Sequence, residues 1–395
     1  MGELLMIPGP TMLSARVIRA MARQVCSHLS QEFVDALSEA RDMLKEVLRT
    51  RQDVVIAPGS SSLGIEMAIA NSVEPGDEVL VVASGYYADR IALMVRRHRG
   101  VPVKVEAPLR RGIPVERVAE ACDAHPEARA LCVVHVETST GVVNPVRELG
   151  RLARRRGLLY IVDAVSSVGG MDVRVDEWGM DYCITGPQKA LAAPPGLALL
   201  SVSERALEVA SSRREEPFTF YMDVRGWVRA TREPLKRYVT HAVLLVLALR
   251  EALKLVLEEG LEKRFRRHEA LAEAVRAGLR ALGMELFPEK AYAAPTLTAA
   301  EVPEGPSSRA LVRAVLEEGV RISAGWGELA DRILRVGHMG NVGPEHVLRT
   351  LGALEKALAM LGREVSGGVE AAAARLSEFE EELLRPPDEV PELGA

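Results

Sequence analysis

From Asp53 onward the chain repeats one pattern: a short apolar, β-branched run, then a stretch with helical spacing and one apolar face. The runs are DVVIA from Asp53, EVLVVA from Glu78, VPVKVEA from Val101, ALCVVHVE from Ala130, LLYIVDA from Leu158, DYCIT from Asp181 and LALLSVS from Leu197. Between them lie segments such as YYADRIALMVRRH from Tyr86 and VRELGRLARRRG from Val146. A strand that is apolar at nearly every position has both faces covered, and a helix between successive strands is the crossover that parallel pairing requires. The pattern therefore predicts an α/β architecture, a mostly parallel mixed sheet covered by helices on both faces.

After about Leu245 the texture changes to long helices, 245–259 and 261–282, followed by a mixed helical and strand-like segment to Leu361. A chain of 395 residues is long for one core. The expected organisation is an N-terminal arm over 1–15, a large domain over 16–245, a smaller α+β domain over 246–362 and a helical, acidic tail over 363–395.

Composition removes several classes of function. Charged residues make up 27% of the chain and the net charge is -5, so neither nucleic acid nor an anionic membrane is an expected partner. The aliphatic run Ala242 to Leu249 is too short to span a bilayer, and the N-terminus lacks a basic, then apolar, leader; a cytoplasmic protein is expected. The four cysteines, Cys26, Cys122, Cys132 and Cys183, have no metal-ligand spacing, so reduced thiols and no metal are expected. Only three asparagines and four glutamines occur, a bias common where proteins must survive heat.

Open parallel sheets bind ligands beyond the carboxyl ends of their strands. Four such ends carry unusual residues. Ser60, Ser61 and Ser62, in PGSSSLG, combine hydroxyls with a helix start, which suits either an anion or an ordinary N-cap. Asp163 ends the apolar run of YIVDAVSSVGG; it either caps the following turn or faces a cation, because unpaired burial is costly. Glu137 to Pro145 is a cluster of hydroxyls, and Gln188-Lys189 stands in GPQKALAAPPG with no other charge nearby. Lys189 taken alone reads as a solvated surface lysine. Asp163 and Lys189, however, are one strand–helix–strand unit apart, which puts them on one sheet edge. An isolated lysine, a buried acid and an anion seat on that edge match the needs of pyridoxal phosphate: a Schiff-base lysine, a partner for the pyridinium nitrogen and a phosphate site.

The segments PGPTMLSARVIRAM, GSSSLGIEMAIANS, ETSTGVVNP, VDAVSSVGG, GPQKALAAPPG and ILRVGHMG, in this order from about Met6 to Leu361, resemble the class V aminotransferases, nearest the alanine–glyoxylate and serine–pyruvate branch. The resemblance implies a fold type I pyridoxal-phosphate enzyme in which Lys189 is the Schiff-base lysine, Gln188 its neighbour at ring or phosphate, and Asp163 the pyridinium partner. It further implies that Ser60, Ser61 and Ser62 form the phosphate loop, although Gly-Thr or Gly-His is commoner where Ser61-Ser62 stands. Tyr87 takes the place of a stacking aromatic, often tryptophan, and Thr138 that of the residue bonding the ring hydroxyl. Thr240 matches a threonine that reaches the partner subunit's phosphate, which implies a homodimer with shared sites. Around it the sequence departs from the family: Arg237 stands where tyrosine is frequent, and Thr-His-Ala replaces Thr-Pro-Pro. Arg335 matches the arginine that grips the substrate carboxylate. The implied reaction moves an amino group from alanine or serine to a 2-oxo acid such as glyoxylate or pyruvate. Phosphoserine transamination is the alternative; a lyase or desulfurase, or a non-catalytic protein of this fold, fits less well, since the loop before Arg335 has no cysteine and Lys189, Asp163 and Arg335 are all present.

Overall fold

Alternate residues of each strand enter opposite apolar clusters, which is why the runs are apolar at almost every position. Val54 and Ile56 pack on one face with Leu80, Val82, Leu131 and Val133. Val55 and Ala57 pack on the other with Val79, Val81, Ala130 and Cys132. The computed structural model describes residues 3–233 and 238–391.

The central sheet has seven strands: β1 (Asp53–Pro58), β2 (Glu78–Ala83), β3 (Val101–Glu106), β4 (Ala130–Val134), β5 (Leu159–Asp163), β6 (Tyr182–Thr185) and β7 (Leu197–Val202), in the order β1-β7-β6-β5-β4-β2-β3. Only β7 runs antiparallel to its neighbours. The other six point the same way, so their carboxyl ends share one edge. The run from Ala130 is shorter than expected: β4 stops at Val134, the His135 N–H donates to the Asp163 carbonyl, and Val136–Glu137 turns into a small hairpin with Val142–Val143.

Two helices start at the functional edge, α1 (Ser61–Ser72) after β1 and α2 (Tyr86–Arg97) after β2. The long helices are α3 (Val243–Glu259) and α4 (Leu261–Ala281). A three-stranded antiparallel sheet, β8 (Leu297–Glu301), β9 (Ser323–Ala324) and β10 (Ile333–Gly337), in the order β8-β10-β9, belongs to the second core.

Val246, Leu249, Leu253 and Val256 of α3 lie in the cluster beneath the large sheet. The arm belongs with that second core through Leu4, Met6 and Met12, and Leu4–Leu5 pairs with Val320–Arg321. The segment after 362 is also built in: helix α5 (Gly368–Leu376) places Ala372 and Leu376 in the same cluster, as does Leu384 further on. Among the described residues no helix is long and apolar enough to cross a membrane, and no group of three His, Cys, Asp or Glu could hold a metal ion.

Candidate active site

The shared carboxyl edge opens into a cavity of about 230 Å³ lined by Ser60, Ser61, Ser62, Tyr87, Thr138, Asp163, Gln188 and Lys189. These come from the ends of β1, β2, β4, β5 and β6, residues up to 129 apart in sequence. Thr240 is exposed and Arg335 stands behind the lining; Arg237 lies outside the described residues.

At the first strand end Ser60 occupies the N-cap of α1 in an extended conformation, yet its side chain makes no capping bond to the helix. The helix therefore presents open N–H groups and the positive end of its dipole to the cavity, the requirements of an anion seat. The Gln188 amide donates to Ser61 Oγ at 3.2 Å, and the Arg90 guanidinium donates to Ser62 Oγ.

Asp163 sits at the end of β5, where Oδ1 accepts from the Val165 N–H at 3.0 Å. That bond is the turn cap foreseen for it, but it engages only one oxygen. Burial pushes the carboxyl up to about 6, against the pull of the Val165 N–H, Lys189 and Arg90. Lys189 is almost fully buried, and burial pushes its ammonium down to about 8, with Asp163 opposing and Arg335 assisting. A lysine in that range offers a free amine under mildly alkaline conditions, the state a nucleophile needs. Thr138 Oγ1 lies 2.6 Å from Ser166 Oγ.

The arm closes over this lysine. The Lys189 ammonium donates to the Pro8 carbonyl, Thr11 Oγ1 donates to the Lys189 carbonyl at 2.9 Å, and the Thr11 N–H donates to the Gln188 carbonyl. Gly9 has φ +94°, and a Cβ there would fall 2.6 Å from Lys189 Cδ, so only glycine lets the arm lie on the lysine stem.

Arg335 is buried in β10, yet its guanidinium bonds only to carbonyls: Ala324 at 2.8 and 3.0 Å, and Thr138 at 2.9 Å. Burial pushes it down to about 10, with weak support from Tyr87 and Glu137. Among the described residues no carboxylate pairs with it. A buried fork held by neutral groups still has charge to give to an anion.

Three features escaped the sequence reading. Glu137 is fully buried and its carboxyl is pushed up by that burial; it accepts from Ser139 and from the Tyr87 and Ala88 N–H groups, anchoring the start of α2 and so aiming Tyr87 into the cavity. Its place in ETSTG was a signal, but its partner lies 50 residues away. Arg90, one turn beyond Tyr87 on α2, joins the lining, with its guanidinium 5.4 Å from the Tyr87 ring centroid. The third is a buried ion cluster: Glu259 pairs with Arg264 and Arg267. Arg264 donates onward to the carbonyls of Gly169 and Ala190, Arg267 to those of Gly340 and Val342, and His268 accepts from the Gly340 N–H. One helix thus ties together the loops that follow Asp163, Lys189 and Arg335. Burial works against the Glu259 charge, but the two guanidiniums outweigh it and hold its carboxyl below the usual range. The cluster's stabilisation is therefore present at neutral pH and lost as the pH falls through that depressed value.

An open helix N-terminus, a half-engaged carboxylate, a buried amine and ring-facing hydroxyls around one cavity fit a phosphorylated pyridine aldehyde. Comparison with known proteins agrees. The family description "Aminotransferase class-V" matches residues 4–335. An uncharacterised aminotransferase of Methanocaldococcus jannaschii is 41% identical over 94% of this chain and 96% of its own length. The alanine–glyoxylate aminotransferase of Oryctolagus cuniculus is 35% identical over 90% of this chain and 92% of its own. The solved ureidoglycine–glyoxylate aminotransferase of Bacillus subtilis superposes with a TM-score of 0.92 at 31% identity, over 95% of this chain and 98% of that one.

Proposed function

The chain belongs to the class V aminotransferases, which are pyridoxal-phosphate enzymes, and from that premise we propose that it moves the amino group of alanine or serine to glyoxylate or pyruvate. When bound, pyridoxal phosphate supplies an electron sink for the pair left behind as an amino acid loses its α-proton. The chain's residues do the rest. The N-terminus of α1, with Ser60, Ser61 and Ser62, would hold the phosphate, and Gln188 braces that loop through Ser61. Asp163 would balance the charge on the ring nitrogen, Tyr87 would offer its ring to the cofactor's, and Thr138 would donate to or accept from the ring hydroxyl. Lys189 would hold the cofactor covalently and, as a free amine, would be the base that takes the substrate's α-proton.

The observation that carries the reading is Arg335, a buried guanidinium with carbonyl partners and no acid, next to a lysine whose ammonium is pushed down to about 8. A monocarboxylate supplies the missing charge and brings its α-carbon toward Lys189. Arg335→Lys keeps the charge but loses the fork, so kcat/KM for alanine and for glyoxylate should both fall by about 30-fold, equivalent to about 2 kcal/mol. Cofactor affinity, titrated by absorbance, should not change, because Arg335 is outside the cavity lining. Unchanged kinetics for both acids would remove Arg335 from the carboxylate site, and a wild-type enzyme inactive with alanine or serine against either 2-oxo acid would sink the substrate assignment.

The working unit we infer is a homodimer with shared sites. Thr240 is exposed and away from its own chain's cavity, in keeping with a reach toward the partner subunit's phosphate. Sedimentation at assay concentration should give a dimer; a fully active monomer refutes the sharing.

A further inference from the structure

Next to the cavity residue Tyr87 and to Arg335 stand two large, partly exposed aromatic rings that the reaction as described does not use. Trp326, in the loop between β9 and β10, is 45% exposed, and Tyr86, the first residue of α2, is 40% exposed. They stack across the two cores, with centroids 5.1 Å apart and planes inclined by 27°. Tyr86 then meets Tyr87 edge-on at 5.4 Å, and Tyr87 lines the cavity. The centre of the Trp326 ring also lies 5.8 Å from the Arg335 guanidinium carbon. Three rings therefore form a strip that leads from solvent, past the carboxylate arginine, to the cofactor cavity.

Local structure holds this strip in place. The Tyr86 N–H donates to Ser139 Oγ at 3.2 Å, fixing one ring to the hydroxyl cluster. A Cβ at Gly325 would fall 2.0 Å from the Leu329 carbonyl oxygen, so the loop before Trp326 closes tightly on itself. The carbonyl of Ala324, two residues before Trp326, takes two of the Arg335 N–H bonds.

We infer that Trp326 and Tyr86 are specificity-determining residues that favour amino donors with uncharged, apolar or flat side chains and reject a second carboxylate. The inference rests on the reading of Arg335 as the carboxylate site. With the α-carboxylate on Arg335 and the α-carbon directed to Lys189, the remaining substituent faces the ring strip. Apolar groups gain contact there, whereas a second carboxylate would give up its hydration among apolar rings with no unengaged cation to pair it. The cations at the strip are engaged: Arg335 holds the first carboxylate, and Arg90 donates to Ser62 beside the Tyr87 ring.

The test is kcat/KM for alanine, leucine and aspartate, each with glyoxylate, in the wild type, Trp326→Ala, Trp326→Phe, Trp326→Arg and Tyr86→Ala. The wild type should prefer leucine to aspartate. Trp326→Ala and Tyr86→Ala should each reduce that ratio at least about tenfold, alanine should change by less than about threefold because its methyl is too short to reach, and Trp326→Phe should restore the ratio. Trp326→Arg should shift the preference toward aspartate. A leucine-to-aspartate ratio unchanged by both alanine substitutions overturns the inference while leaving the transaminase reading intact. A wild-type enzyme inactive with all three donors and with serine, against glyoxylate and pyruvate, overturns both.

Discussion

Replacing Lys189 by alanine is expected to leave a folded protein whose transamination of alanine has fallen by about four powers of ten or more. The fold should survive because the contacts that tie the arm to this loop use backbone atoms of Lys189 and Gln188, accepting from Thr11, and the lost side-chain bond is a single one to the Pro8 carbonyl. Chemistry should not survive, because the cavity lining offers no second lysine to hold the cofactor covalently and carry the α-proton. Single-turnover kinetics and mass spectrometry after borohydride reduction check both halves: the wild type should gain a cofactor-sized mass on Lys189, and the variant should gain none. The pH dependence has a definite sign. Since burial lowers the Lys189 ammonium to about 8, the free amine of the cofactor-free protein grows as the pH rises through that value, and the rate of cofactor capture should rise with it and level off above. Activity retained in Lys189→Ala, with an adduct on another lysine, would move the catalytic centre.

Asp163→Asn is expected to bind the cofactor less tightly and to lower turnover by about two to four powers of ten. That follows from losing one partner of a buried charge pair, about 3–5 kcal/mol, at about 1.4 kcal/mol per decade. Asparagine can still accept from the Val165 N–H, so the turn at the end of β5 should keep its shape. This separates the two roles open to Asp163 in the sequence: if it only capped the turn, asparagine would substitute at near-native rate. Burial raises the carboxyl to about 6, so in the cofactor-free wild type its charge is lost as the pH falls through 6 and its grip on a cationic ring weakens in the same direction. That acid limb should disappear from the pH profile of cofactor binding in Asp163→Asn.

The large sheet was legible because its causes are local. A strand with both faces buried needs apolar residues at successive positions, and Glu78–Ala83 and Leu197–Val202 start and stop where their apolar runs do. Strand ends follow from strands, so Asp163, Lys189 and the serine loop could be placed on one edge before any coordinates. Helical periodicity records that a face is buried, not against which core, and the apolar face of α3 packs under the large sheet.

By itself the sequence determined the α/β layering, the shared sheet edge of Asp163, Lys189 and the serine loop, and the order of motifs that points to a class V aminotransferase. Tertiary structure alone decided that Arg335 would be buried without an acid, that Glu137 would seat the start of α2, and that the Glu259–Arg264–Arg267 cluster would tie three site loops to one helix. It likewise brought Trp326 onto Tyr86 and the Pro8 carbonyl onto Lys189. The physical reason is range. Periodicity registers burial within a few residues along the chain, whereas the seating of Glu137 against Tyr87 and the stacking of Trp326 on Tyr86 depend on which groups meet in space, here across 50 and 240 residues.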